Sequence, residues 1–580
     1  MQEKEYVITL HDHKDLDSFY DDMESPGGDL FIPNRAISVV HRRLASRNTH
    51  YNLTDEEANL IRKDLRVLAV ELSLEEAGLT ISPSWTQSSN FWNKSNSVVN
   101  SHNNWGLLRV VEGVQRSNWG SNATSNVTGT INVTASGKHV DIVVVDGNMN
   151  PSHPEFAVNS DGTGGSRVNQ YNWFLLNPAV TGGSTSTYLY TPYVDSSFPD
   201  YNFDGRSDRT TDNDHGAHVT GTFAGNTQGW ARDATIYNIN PYSSSPSVTE
   251  NFLDYIKVWH QTKPINPITG NKNPTITNHS YGITTNKSIS SITTVRYKGN
   301  VINGPFTSNQ LLNYGIYNTG GTASVSQRNT AIEQDFIDLM AAGVIVIGAA
   351  GNAYSKISLS TSTVNDDYNN YFSASGVTYY YQRGSITSAE GVITVGAINS
   401  LANDSKVTFS NCGPRIDVYA PGTSIMSSLN SNILSSSVTD TRNSTYFLNK
   451  YSGTSMASPQ VAGVLACLAE TWPRLSQTQA LTYVQSRSKL NQITAGSGGV
   501  TDFTDLQGSP NRFLNFYKER SDTGQVGPKN NQGLRPSTGL AWPRPKIYRY
   551  GGAPSVSPTA VLLESGESLQ TEDGFDIELE

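Results

Sequence analysis

An α/β domain built on a buried parallel sheet, preceded by a small α+β module, is predicted by three observations. Apolar, β-branched runs at residues 140–145, 234–239, 275–280, 344–349, 392–395 and 416–419 alternate with helical segments, the pattern of βαβ units. The first 75 residues carry strand and helix signals of their own before the composition shifts. With 36% hydrophobic, 9% aromatic and 16% charged residues in 580, there is apolar material for a sizeable core and too little charge for a solvated coil.

In chain order, residues 6–10 (YVITL) read as a strand, 16–23 as a helix and 36–40 as a second apolar run. Thr54 stands three residues before Glu57, a capping-box spacing, and Leu60 and Ile61 continue that helix towards a strand at 67–72. From about 73 to 104 the chain turns to Ser, Asn and Trp without periodicity, which reads as an exposed linker that a protease could cut. The resulting division is a module at 1–75, a processing linker at 76–104, the main domain at 105–519 and an extension at 520–580. Loops 157–203 and 285–330 read as surface insertions. The extension is Pro- and Gly-rich and then acidic, the composition of a flexible tail.

Charge excludes some partners. Lys+Arg 41 against Asp+Glu 51 gives −10, which argues against an electrostatic nucleic-acid or anionic-membrane binder. The start has no apolar run behind a basic stretch, so no secretory signal peptide is expected, and no run is long and apolar enough to span a membrane. The two cysteines, Cys412 and Cys467, are expected to be buried free thiols.

Three distant segments each place a polar group just beyond a strand or at a helix start, positions that line the carboxyl-end crevice of an α/β sheet. In VDIVVVDGN, Asp146 ends a buried strand, where a carboxylate needs a donor to offset its desolvation; Asp141 precedes the strand and is the weaker candidate. In DNDHGAHVTG, His215 and His218 flank Gly216 at a helix start, with Gly216 and Gly221 allowing close backbone approach. An i, i+3 histidine pair could also ligate a metal, although the usual zinc motif is i, i+4 with Glu. In YSGTSMASPQVAG, Ser455 lies in the first turn of a helix whose apolar face carries Val461, Val464, Leu465 and Leu468. Read singly, these are a turn, a helix start and a cap. Together they supply an orienting carboxylate, a general base and a nucleophile beside free helix N–H groups.

HGAHVTG and GTSMASPQVAG resemble the His and Ser signatures of subtilisin-like serine peptidases (subtilases) almost position by position, and Asp146, His215, Ser455 stand in that family's order. The resemblance selects His215 over His218, and Ser455 over Ser452 or Ser458. It implies a three-layer subtilisin-like domain and assigns the Asn352 side chain, after GVIVIGAAGN, to the oxyanion hole; loss of such a donor in subtilisin costs about 10²–10³ in kcat. It also makes Ser280, Tyr281 and Gly282 a substrate-binding edge that pairs with an extended polypeptide. NWGLLRV (104–110) is similar to the start of the mature enzyme, and GSPNRFLNF (508–516) to the last core strand. The first 75 residues resemble the family's inhibitory propeptide, a ferredoxin-like module. The sequence departs from the pattern at Asp146-Gly147-Asn148, at Gln460, and at Ile283, which is expected to narrow the cleft.

These readings imply a self-processed serine endopeptidase whose partners are a polypeptide substrate and its own propeptide, with no nucleic acid, no membrane and a monomeric state. His215 has to be neutral to act as base, so activity should rise through about pH 6.5. No cofactor is needed for the chemistry. Asp200, Asn202, Asp204 and Asp208 match the first half of a calcium loop, without the closing Glu, and suggest a structural calcium ion. The competing readings are an inactive subtilase-like structural or virion-associated module, and a metal hydrolase using His215 and His218.

Overall fold

A computed structural model describes residues 3–32, 39–43, 45–73, 76–77, 80–83, 86–87, 104–112, 135–173, 176–181, 213–241, 252–361, 366–400, 404–430 and 437–516. The chain divides into two units, 1–533 and 534–580, and the described residues all fall in the first.

The amino-terminal module runs β1 (Lys4–Leu10), α1 (Leu16–Glu24), β2 (Val39–Arg42), β3 (Asn48–Leu53), α2 (Asp55–Ile61) and β4 (Val67–Leu72). Its antiparallel sheet has the order β2-β3-β1-β4, a ferredoxin-like split βαβ pair. Alternation on β1 sends Tyr6, Ile8 and Leu10 into a core with Phe19, Met23, Tyr51 and Ile61. The capping box forms as the spacing predicts: Glu57 N–H donates to Thr54 Oγ1 at 3.3 Å, and Thr54 N–H to Glu57 Oε2 at 2.7 Å.

Two short strands follow in the stretch read as an exposed linker, β5 (Thr80–Pro83) and β6 (Thr86–Gln87). Neither has strand periodicity, because each is an edge strand held by backbone hydrogen bonds to a partner already in place. Then come α3 (Trp105–Glu112), β7 (Asp141–Val145), α4 (Pro178–Thr181), α5 (Asn213–Ala224), β8 (Thr235–Ile239), α6 (Phe252–Thr262), β9 (Thr275–His279) and β10 (Tyr281–Ser288).

The next stretch corrects the expectation of a surface loop at 285–330. It contains β11 (Ile292–Tyr297), β12 (Asn300–Asn303), α7 (Ser308–Asn313), β13 (Asn318–Thr319) and β14 (Thr322–Gln327). These close on a cluster of their own, in which Ile292, Val295, Leu311 and Val325 meet Phe372 and Tyr381. The chain continues through α8 (Thr330–Ala341), β15 (Ile345–Ala349), β16 (Tyr371–Ala374), β17 (Val377–Tyr380), β18 (Ile393–Ile398), β19 (Val418–Pro421), β20 (Ile425–Leu429), β21 (Val438–Asp440) and β22 (Asn443–Ser452). It ends in α9 (Thr454–Thr471), α10 (Gln477–Arg487), β23 (Lys489–Leu490) and β24 (Arg512–Phe513).

The central sheet has eight strands among the described residues, in the order β23-β24-β19-β18-β15-β9-β7-β8, parallel except between β23 and β24. The runs at 140–145, 234–239, 275–280, 344–349, 392–395 and 416–419 are six consecutive strands of this sheet, with the 234–239 run at its edge, and residues 508–516 supply β24. Helices α5 and α9 pack together on one face. On the other, Val143, Val145 and Val346 meet Phe252, Trp259 and Phe336 from α6 and α8. This is the three-layer α/β architecture. Helix α9 departs from the expected single apolar face: it is buried all round from Thr454 to Ala469, as a helix enclosed by a sheet and other helices must be.

The module's second sheet face docks on α8 through polar groups. Arg43, fully buried, reaches Asp254 at 2.9 Å and Asp335 at 2.8 Å. Ser46 Oγ and Asn48 Nδ2 donate to Asp335 at 2.6 and 3.1 Å. The Glu71 carboxylate accepts from Thr330 N–H at 2.8 Å and from its hydroxyl at 3.0 Å, closing the first turn of α8.

Candidate active site

Strand β7 has β8 on one side and β9 on the other, so the chain crosses over β7 after β8, and the carboxyl end of β7 opens at a topological switch point. Asp146 is the first residue beyond β7 and is fully buried. Its Oδ1 accepts from Gly147 N–H at 2.7 Å and lies 2.6 Å from His215 Nδ1, so the Asp-Gly-Asn departure leaves the carboxylate aimed at the imidazole. His215 stands in the first turn of α5, also fully buried. A buried carboxylate on Nδ1 fixes the tautomer that carries its proton there and leaves Nε2 as the basic nitrogen.

Ser455 is the second residue of α9, the helix packed against α5. Its Oγ donates to the Ser280 carbonyl at 3.3 Å, while Ser280 Oγ donates to the Ser455 carbonyl at 3.1 Å. Ser280 Oγ also meets Ser458 Oγ at 2.9 Å and accepts from Asn278 Nδ2 at 2.9 Å. The edge segment is thereby tied to the first turn of the nucleophile's helix.

Asn352 follows β15. Its side-chain oxygen accepts from Thr454 N–H at 3.0 Å and from Thr454 Oγ1 at 2.9 Å, which makes the amide nitrogen the donor end of the group. Thr454, adjacent to Ser455, thus sets the orientation of Asn352. The sequence alone does not disclose this, because the two residues are distant along the chain and Thr454 reads as a helix-start residue.

His218 points its Nε2 at the carbonyls of Ile425 and Asn449, at 2.9 and 3.2 Å, and stacks on Tyr451 at 4.4 Å. Burial, aided by the charge of the neighbouring His215, pushes its pKa down to about 3. Asp141 pairs with Lys263 at 2.9 Å, behind the sheet's opposite end.

On β10, Tyr281 and Gly282 form backbone pairs with Pro83 and Ser82 of β5, so the predicted edge already carries an added strand from the same chain. Gly282 leaves no room for a side chain, since a Cβ there would meet Ser385 Oγ at 2.8 Å. Ile283 does not narrow the cleft. It turns into the core with Phe336 and Val346, because alternation along β10 puts it on the face opposite Gly282.

Asp200, Asn202, Asp204 and Asp208 lie outside the described residues. Among the described residues no group of three or more His, Cys, Asp or Glu is gathered as a metal site, and no helix is long and apolar enough to cross a membrane. Cys412 and Cys467 are buried free thiols, and burial raises the Cys412 pKa to about 11.

Comparison with known proteins matches residues 137–517 to the family described as the Subtilase family. An alkaline proteinase of Hapsidospora chrysogena is 30% identical over 54% of this chain and 54% of its own length. A cuticle-degrading protease of Metarhizium anisopliae is 26% identical over 57% of this chain and 64% of its own. The chain thus spans a little over half the length of these relatives. Among solved structures, a cold-adapted subtilisin-like serine proteinase aligns with a TM-score of 0.41 at 20% identity, over 72% of this chain and 98% of that one.

Proposed function

Since the chain belongs to the subtilase family of serine peptidases, we propose that it is an endopeptidase that cleaves polypeptides through an acyl-enzyme on Ser455. Ser455 Oγ attacks the peptide carbonyl as His215 Nε2 takes its proton. Asp146 holds the imidazole by its Nδ1 and stabilises the imidazolium. The negative charge on the former carbonyl oxygen is received by the Ser455 backbone N–H and the Asn352 amide. His215 then protonates the leaving amine, and water removes the acyl group by the reverse steps.

The observation that carries this reading is the buried Asp146–His215 pair at 2.6 Å, with His215 on a helix packed against the one that carries Ser455 in its first turn. Substrate binds by adding a strand at Ser280–Gly282. The amino-terminal module acts as an inhibitory propeptide, supported by its docking through Arg43 and Glu71 and by the strand that its linker lays on β10. The inactive-scaffold reading has no missing catalytic group to support it. No cofactor takes part in the steps above. Calcium at 200–208 is a structural proposal, checked by whether calcium raises and chelator lowers the melting temperature.

A fluorophosphonate probe tests the chemistry. Processed protein should be labelled at Ser455, and Ser455→Ala should not be labelled; absence of label in the processed wild type would overturn the enzyme reading.

A further inference from the structure

Strand β20 runs along α5, the helix of His215, and is fastened to it: Ser427 Oγ donates to the His218 carbonyl at 2.7 Å and Ser428 Oγ to the Ala217 carbonyl at 2.8 Å. The residue after β20, Asn430, arrives at the first turn of that helix. Its backbone N–H donates at 2.8 Å to the carboxylate of Asp214, which directly precedes His215. Its side chain reaches the other half of the catalytic pair. Asn430 Nδ2 donates to the Asn148 carbonyl at 2.8 Å, and Oδ1 accepts from Asn150 N–H at 2.6 Å. A backbone N–H can only donate, so that second bond fixes which way the amide faces. One amide thus holds the segment 148–150, which begins two residues beyond Asp146.

The loop behind Asp146 needs an outside hold. Gly147, beside Asp146, has no side chain with which to anchor itself, and it stands where the sequence departs from the family's pattern. Its carbonyl oxygen lies so close to Gly216 that a Cβ on Gly216 would come within 1.6 Å of it. A small shift of this loop therefore moves the carboxylate against the imidazole and loosens the 2.6 Å bond between Asp146 Oδ1 and His215 Nδ1. Asn430 ties the loop of the acid and the helix start of the base to a single residue.

Resting on the reading of Asp146, His215 and Ser455 as the reacting groups, we propose that Asn430 is a positioning residue for peptide hydrolysis: its amide and its backbone N–H brace the loop of Asp146 against the helix start of His215. It acts through those two residues. The carboxylate is needed most when the imidazolium forms, during attack by Ser455, so a loosened pair weakens the transition state and leaves substrate binding as it was. The effect of Asn430 therefore falls on kcat and spares KM.

The test is hydrolysis of a peptide substrate by processed protein, with wild-type active sites counted by the fluorophosphonate probe. Variants are processed in trans by tagged wild type, which is then removed. Asn430→Ala should lower kcat about 10- to 100-fold with KM within about twofold of the wild type, the scale of an ångström's misplacement. Asn430→Asp keeps the acceptor for Asn150 N–H and loses the donor to Asn148; it should fall between the two, and it carries the test if Asn430→Ala does not fold. In an Asp146→Asn background the charge that Asn430 holds in place is gone, so the same change should alter the residual rate less than about threefold. A role confined to stability would give equal relative losses in both backgrounds. Wild-type kcat in the variant that carries the test, a raised KM at unchanged kcat, or equal losses in both backgrounds overturns the proposal and leaves the peptidase reading intact. Wild type that is neither labelled nor active overturns the peptidase reading and this proposal with it.

Discussion

Gly216 has no space for a side chain: a Cβ built on it would stand 1.6 Å from the carbonyl oxygen of Gly147. The loop that follows Asp146 therefore lies directly on the first turn of the helix that holds His215, and the absence of one carbon lets the carboxylate and imidazole meet.

Gly216→Ala should push that turn off the loop by an ångström or more. A displacement of that size at reacting groups costs about 10² in rate. The expected result is kcat/KM on a peptide substrate lower by at least that factor, with a lower melting temperature. An active, unshifted variant would mean that the loop yields elsewhere.

Asp146→Asn keeps the shape of the pair and loses the charge that orients Nδ1–H. The expected fall in kcat is about 10⁴, with far-UV circular dichroism unchanged. Asn352→Ala should lower kcat by two to three orders of magnitude and leave KM nearly unchanged, because its amide meets charge that exists only after attack.

Arg43→Ala would leave the buried carboxylates of Asp254 and Asp335 without their guanidinium, a loss of about 3–5 kcal/mol in denaturant unfolding of the uncleavable Ser455→Ala chain. Burial already pushes Asp335 up to about 6 with Arg43 beside it. A carboxyl raised in the folded state holds its proton more tightly there than in the unfolded chain, so its contribution is favourable at low pH and is lost as pH rises towards 6. Without Arg43 that carboxyl is raised further, so the deficit of the variant should be large at pH 8, shrink as pH falls towards about 6, and level off below it.

Lys450 gives the opposite slope. Burial pushes it from 10.5 down to about 7. Between those values the unfolded chain binds a proton that the folded one does not, so stability contributed at this position rises with pH from about 7 to about 10.5. Lys450→Met in the same uncleavable background should remove that rise, which urea midpoints at successive pH values would show. An unchanged slope would mean that another group titrates there.

The parallel sheet was legible because buried strands write themselves as apolar runs, and Asp146, His215 and Ser455 because each sits in a short, distinctive segment. Other features leave no such mark. β5 and β6 are secured by backbone bonds, which any side chain permits, so a Ser- and Asn-rich stretch hid them. The folded insertion at 285–330 is made of antiparallel strands rich in Thr, Ser and Asn, so their few apolar residues do not form runs of the kind that mark the central sheet. Arg43 and Glu71 read as ordinary surface charges, since their partners Asp335 and Thr330 lie in another part of the chain. Ile283 replaces a residue that is commonly Gly in the family, and the bulk this suggests for the cleft is turned inward by the pleat.

The two histidines of α5 tether one turn of helix on both sides. His215 grips the carboxylate at the end of β7, and His218 clamps the carbonyls of Ile425 and Asn449 while stacking on Tyr451, four residues ahead of Ser455. A slip of this helix along its axis would break both grips together. The alignment of base and nucleophile is thus keyed to the main-chain scaffold of the two strands beside it rather than left to a mobile loop.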